Sequence, residues 1–135
     1  MSEKYVLTMD RETASTLSKA AEVYARLING QFDVLPFEVL IVHPGSFSSA
    51  DFCERRDRAE AALEEARKAL FPNLIYPHQS YGVGHNRESD KAWNVHQVLR
   101  YTRAWHDHPE GGITVDFNKP LSFSDVPMPV CEVIE

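Results

Sequence analysis

Between Asp10 and Gly30 the chain carries a complete set of helix instructions, and this window constrains the fold more than any other. Asp10 is a good N-cap, because its carboxylate accepts from the first free helical N–H groups. Glu12 follows in the first turn, where the helix dipole favours an acid. Leu17, Ala20, Ala21, Tyr24, Leu27 and Ile28 recur at helical spacing. Gly30 ends the run as a C-terminal glycine. The spacing predicts a helix over Arg11 to Asn29.

Two more helices are expected downstream. Ser48, Ser49 and Asp51 mark a start, and Phe52, Ala59, Leu63, Ala66 and Leu70 form the apolar stripe of a heavily charged helix from Ala50 to Leu70, which Pro72 ends. Ser89 or Asp90 caps a third helix that runs to His106, with Ala92, Val95, Val98 or Leu99, Thr102 and Trp105 facing the core. Between them, residues Asn73 to Ser89 hold glycine, proline, asparagine and histidine in loop proportions. A loop of that length in a small domain is often functional. Phe37 to Val42, bracketed by Pro36 and Pro44-Gly45, suits a strand or a short buried helix equally. Tyr5-Val6-Leu7-Thr8, Ile113 to Phe117 and Val130 to Ile134 have strand character. The expected architecture is α+β: one domain over residues 1–135, with long helices decorating a small antiparallel sheet.

Length and composition support one soluble domain. A folded chain of 15.4 kDa should expose roughly 7,200 Å², about a third of its extended surface. Net charge is −6, which disfavours a DNA coat that releases counterions from a basic surface. No apolar run approaches a membrane span, and the N-terminus lacks the apolar stretch of a signal peptide. Cys53 and Cys131 are far apart and form no CxxC, as expected of reduced thiols in a cytoplasmic protein.

Five groups of residues could carry chemistry. His106-Asp107-His108, with His78, His85 and His96 upstream, could serve a metal-dependent phosphodiesterase. The same residues also suit a cationic helix end, and no metal-ligand spacing such as H-E-x-x-H is present. Cys53 sits in a helix first turn without an identified base. Gly82-Val83-Gly84-His85 is not a dinucleotide fingerprint, but Tyr81 offers a ring for stacking, and Gly82 lets a backbone N–H approach a phosphate. The alternative is a turn with a packed tyrosine. His96, Arg100, Arg103 and Asp107 share one helix face, flanked by Asn94 and Gln97. Two arginines one turn apart grip phosphate through forked bonds; the alternative is a solvated face with an Arg103–Asp107 pair. Arg26 could meet either the last helical carbonyls or an anion at a subunit contact.

Four segments together resemble the phage anti-Thoeris proteins that act as nucleotide sponges. They are Tyr24-x-Arg26-Leu27 with Gly30-Gln31-Phe32; Ser80-Tyr81-Gly82-Val83; Gln97-Val98-Leu99-Arg100 followed by Trp105; and Pro109-Glu110-Gly111-Gly112-Ile113 with Val115-Asp116-Phe117 and Pro120. The resemblance implies a small sheet with long helices, assembled as dimers or hexamers in the bacterial host cytoplasm. It implies capture, without cleavage or cofactor, of a cyclic ADP-ribose isomer made by an immune TIR enzyme, and in some members of cyclic oligonucleotides at a separate site. Tyr81 would stack on adenine, and Gly82 would line the phosphates. Arg100 and Arg103 would neutralise pyrophosphate. Asn94 and Gln97 would contact base or ribose, and Arg26 would serve a second, oligomer-dependent anion site. The stretches Asn86 to Asp90 and Pro44 to Ser49 match nothing in that pattern. A third class, a protein-binding inhibitor using the charged second helix, is compatible with the acidic balance.

Overall fold

A computed structural model describes residues 3–43 and 48–135. Pro44-Gly45, expected to close the Phe37–Val42 segment, lies outside them, as do Met1-Ser2 and most of the unmatched Pro44–Ser49 stretch. The described residues form four α-helices: α1 (Arg11–Ile28), α2 (Leu35–Val42), α3 (Ser49–Leu70) and α4 (Arg87–Asp107). Single 3-10 turns occupy Phe32–Val34 and Val115–Phe117. No strand is present among the described residues, so the expected α+β fold with an antiparallel sheet is wrong.

The cap signals around α1 act as the sequence suggests. Asp10 accepts from the Thr13 N–H at 2.8 Å. At the other end Gly30 has φ +85°, and the N–H groups of Gly30 and Gln31 return to the carbonyls of Leu27 and Arg26. That doubled bond is the Schellman motif, which needs a residue free to enter the left-handed region. For α3 the cap is Ser48, which accepts from Asp51 N–H at 3.2 Å. The start of α4 differs from expectation: Asn86 is the cap, accepting from the N–H groups of Glu88 and Ser89. Ser89 and Asp90 lie inside the helix and are buried.

α1 and α4 are antiparallel partners: Arg11 meets Asp107, Ser18 meets His96, and Ala25 meets Ser89. Their seam is polar. Ser89 Oγ donates to the Ala25 carbonyl at 3.0 Å, and Asn29 Nδ2 donates to Ser89 Oγ at 2.8 Å. Among the described residues buried apolar side chains are few, namely Ala25, Pro36, Leu74, Leu99 and Val126. The stripes read from periodicity are partly outside: Ala20, Tyr24, Ala66 and Leu70 are exposed.

After α4 the chain reverses and runs back along it. Trp105 Nε1 donates to the Phe117 carbonyl, Gln97 holds Leu121, and Arg87 pairs with Asp125. Eighteen helical residues rise roughly 27 Å, which eight extended residues just cover. The returning chain is thus an extended strap on a helix. At Leu121 its backbone is satisfied by a side chain: Gln97 Nε2 donates to the Leu121 carbonyl and Gln97 Oε1 accepts the Leu121 N–H, both at 3.0 Å. This pairing does the work of one rung of a ladder, and three prolines, Pro120, Pro127 and Pro129, remove donors a sheet would need. Ile113–Phe117 closes into a 3-10 turn, and neither Tyr5–Thr8 nor Val130–Ile134 finds a strand partner.

Candidate functional site

The residues singled out in the sequence fall into separate places. Arg100 and Arg103 come together, one turn apart on the C-terminal half of α4. They line an open cleft of about 370 Å³, with Ala104, Asp107, His108, Thr114, Asp116 and Phe117 also on its wall. Clefts from roughly 300 Å³ upward hold small ligands.

The charges in this cleft are unevenly matched. Asp107 does not pair with Arg103. It accepts two bonds from Arg11 at the start of α1, one of 2.8 Å from Nη1, and this guanidinium holds its carboxyl below the usual range. Arg100 Nε lies 3.6 Å from Asp116, and Arg100 Nη1 lies 3.5 Å from His96 Nε2. Arg103 has no hydrogen-bond or ion-pair partner among the described residues, and its Nε is buried. A buried N–H without an acceptor is costly, because it loses water and gains nothing. An anion entering the cleft would supply acceptors.

Asn94 and Gln97, expected to read a base or ribose, are buried. Gln97 is committed to the Leu121 backbone, and its Nε2 lies 3.5 Å from Asn94 Oδ1. His96, from the same supposedly solvated face, is also inside. Its Nδ1 contacts Ser18 Oγ at 3.0 Å and the Ser18 carbonyl at 3.1 Å, and its Nε2 lies 3.3 Å from Glu22. Burial pushes the His96 pKa down, against the pull of Glu22. Burial alone would raise Glu22, but Lys19, His96 and Arg26 hold it below the usual carboxylate range. Serine, histidine and glutamate in a row suggest a hydrolytic relay. Here Ser18 is 4% exposed and closed between two helices, so no acyl group can reach it.

Tyr81 and Gly82 stand at the opposite end of α4. Tyr81 N–H donates to the Asn29 carbonyl at 2.8 Å, and the Gly82 carbonyl accepts from Asn29 Nδ2 at 3.3 Å. Asn29 also holds Ser89, so this group lies eleven to fourteen helical residues, roughly 16–21 Å, from Arg100 and Arg103. The Tyr81 ring stacks on His85 at 3.9 Å, with the planes 1° apart. Arg26 lies over the Trp93 ring at 5.5 Å, donates to Gln31 Oε1 at 2.9 Å and sits 3.7 Å from Glu22.

The loop before Tyr81 is organised by a residue the sequence reading passed over. Arg67 is the one fully buried residue of α3. It takes Glu64 through two bonds of 2.9 and 2.5 Å and donates to the carbonyls of Leu74, Tyr76 and Gln79. The Arg67 bonds hold Glu64 down to a pKa of about 2. An arginine inside a charged helix looks like any solvated one, and only the i,i+3 Glu64 hints at its role. Among the described residues no three His, Cys, Asp or Glu groups are placed to share a metal ion. His106 lies near Glu135 and His108 near Glu110, so neither joins His96.

No family model matches this chain, and neither the curated proteins nor the solved structures contain a significant match.

Proposed function

We propose that this chain is a binding protein for a small phosphate-bearing nucleotide, held in the Arg100–Arg103 cleft and sequestered without being cleaved. The observation that supports this reading is the division of charge at the end of α4. Arg11 occupies Asp107, and that leaves Arg103 half-buried and unpaired beside Arg100. Forked, charge-assisted bonds from two guanidinium groups suit a phosphate or pyrophosphate. Thr114 adds a hydroxyl, and Phe117 adds an aromatic wall on which a base could rest. A cyclic ADP-ribose isomer, as the sequence resemblance implies, has the charge and the pre-organised shape that tight capture favours.

The test is calorimetric titration with a panel of cyclic ADP-ribose isomers and cyclic oligonucleotides, followed by mass spectrometry of what heat releases. Intact release of one nucleotide, with Arg103→Ala weakening binding by about 10–100-fold, supports the reading. Tyr81→Ala should bind normally, because Tyr81 lies three to four helical turns away. Recovery of a cleaved product, or normal binding by Arg103→Ala and Arg100→Ala, overturns it.

A further inference from the structure

We propose that Asp116 makes the arginine cleft selective for phosphates attached to a ribose cis-diol, a role that rests on reading the cleft as a nucleotide site. Arg100 and Arg103 take the phosphate, and the Asp116 carboxylate accepts the two sugar hydroxyls. Asp116 stands on the cleft wall with both arginines and Thr114. Its side chain is 47% exposed. Its contacts within the chain are loose. Oδ1 lies 3.6 Å from Arg100 Nε, and Oδ2 accepts from the Thr114 hydroxyl at 3.4 Å. Charge-assisted bonds are normally ~2.7–2.9 Å long, so both oxygens keep room for better donors. A half-exposed ion pair at that distance contributes little to the fold. The carboxylate therefore sits in the cleft without being needed there for stability.

The turn that carries Asp116 is well anchored. Trp105 Nε1 donates to the Phe117 carbonyl at 3.2 Å, and the Trp105 and Phe117 rings meet edge-on at 5.4 Å. The Phe117 ring also lies against Gly112, where a Cβ would collide with it. The backbone of the turn cannot swing away without breaking these contacts, so an anion that reaches Arg100 meets a carboxylate already beside it. The chemistry of that carboxylate decides which anion is accepted. An ionised carboxylate only accepts hydrogen bonds, and the oxygens of bare pyrophosphate are acceptors as well. Placed together, the two repel. Asp107 is taken by Arg11, so Asp116 is the carboxylate on this wall that an anion must face. A ribose supplies what Asp116 lacks, two neighbouring O–H donors. Acidic side chains hold ribose hydroxyls in this way in dinucleotide sites. A nucleotide carries its diol within a few bonds of its phosphate, so one ligand satisfies the arginines and the carboxylate together.

The experiment is calorimetric titration of the full chain with ADP, 2′,3′-dideoxy-ADP and inorganic pyrophosphate, on wild type, Asp116→Ala and Arg103→Ala. Wild type should bind ADP at least about tenfold more tightly than dideoxy-ADP, because the analogue leaves the carboxylate unpaired. In Asp116→Ala that preference should shrink to less than about twofold, and pyrophosphate should bind at least about threefold more tightly than in wild type. A gain of affinity for pyrophosphate is a change that a damaged fold would not produce. Equal binding of ADP and dideoxy-ADP by wild type overturns the role of Asp116, and so does a preference that survives in Asp116→Ala. In either case a loss of all three probes in Arg103→Ala leaves the cleft reading standing. If no probe binds wild type, or Arg103→Ala binds all of them normally, the cleft reading fails and the role of Asp116 fails with it.

Discussion

Gly30 stands where α1 stops, with φ +85°, and a Cβ there would meet Leu74 Cδ1 at 3.1 Å and Phe71 at 3.4 Å. Gly30→Ala therefore combines backbone strain with a crowded wall. Urea unfolding should show a loss of more than about 1 kcal/mol. Arg67 makes a different kind of demand. Its guanidinium has no water to fall back on, and three carbonyls plus Glu64 depend on it. Arg67→Met should lower Tm by something on the order of 10 °C in a thermal scan. The pair also predicts a pH response. Glu64 has a folded pKa of about 2 against 4.5 when free. Its contribution is complete above 4.5 and is lost as pH falls through about 2. Stability measured by urea between these limits should fall in wild type, and more shallowly in Arg67→Met.

At the level of elements, the α1–α4 seam sets a second pH window. His96 is packed against Ser18, Lys19 and Glu22 of α1 and Arg100 of α4, and burial keeps its pKa below 6.5. A lowered histidine pKa means the unfolded chain takes up the proton first. The stability held above 6.5 is therefore lost as pH falls below it. Tm should drop on acidification from about pH 7 to about pH 5, and His96→Gln should flatten that slope. A slope unchanged in His96→Gln would assign the effect elsewhere. The seam also explains what the sequence could and could not disclose. α1 was legible at both ends because Asp10 and Gly30 are local signals, satisfied within a turn of themselves. α3 was legible for the same reason at Ser48. The packed face of α4 was not, because Asn94, His96 and Gln97 are interior only through partners distant in sequence: Ser18, Glu22 and Leu121. Hydrophobic periodicity assigns such residues to solvent. The strap after α4 misled in the opposite sense. Ile113–Phe117 and Val130–Ile134 carry strand character, but the first closes into a 3-10 turn and the second finds no neighbouring strand, while Leu121 between them is bound by a side chain, Gln97. Within the candidate site, the pairing of Arg100 with Arg103 was legible from their spacing. The choice of Asp107 for Arg11 was not, since it depends on how α1 lies against α4.

At the scale of the molecule, the four helices make an open arrangement. α1 and α4 form one tight pair, and α2 rests loosely on α3, which reaches that pair through the turn at Phe32–Val34 and the loop after α3. If copies associate, as the sequence resemblance implies, the protein should gain stability by mass action. The apparent Tm is expected to rise by several degrees over a hundredfold increase in concentration, read by scanning fluorescence. A Tm independent of concentration would mean that the open form stands alone. The arginine cleft lies on α4 and the turn after it, and α2 lies on α3, so changes in α2 should leave nucleotide capture intact. Charge-reversing variants on the exposed side of α3 provide the control, since they should alter neither nucleotide capture nor assembly.

The buried guanidinium of Arg67 has a consequence for how freely this protein can change. Its bonds to the loop go to carbonyl oxygens, which every amino acid possesses, and Glu64, which it also holds, accepts a loop backbone N–H at His78. Ile75 and Tyr76 project outward from a backbone whose course is fixed from beneath. The exceptions are His78, with φ 58°, which asks for a residue tolerant of that conformation, Gln79, whose Oε1 accepts the Tyr76 N–H at 3.1 Å, and the buried Leu74. The surface letters of the loop can therefore be rewritten without altering its shape, in the way a display scaffold accepts new sequences on a constant frame.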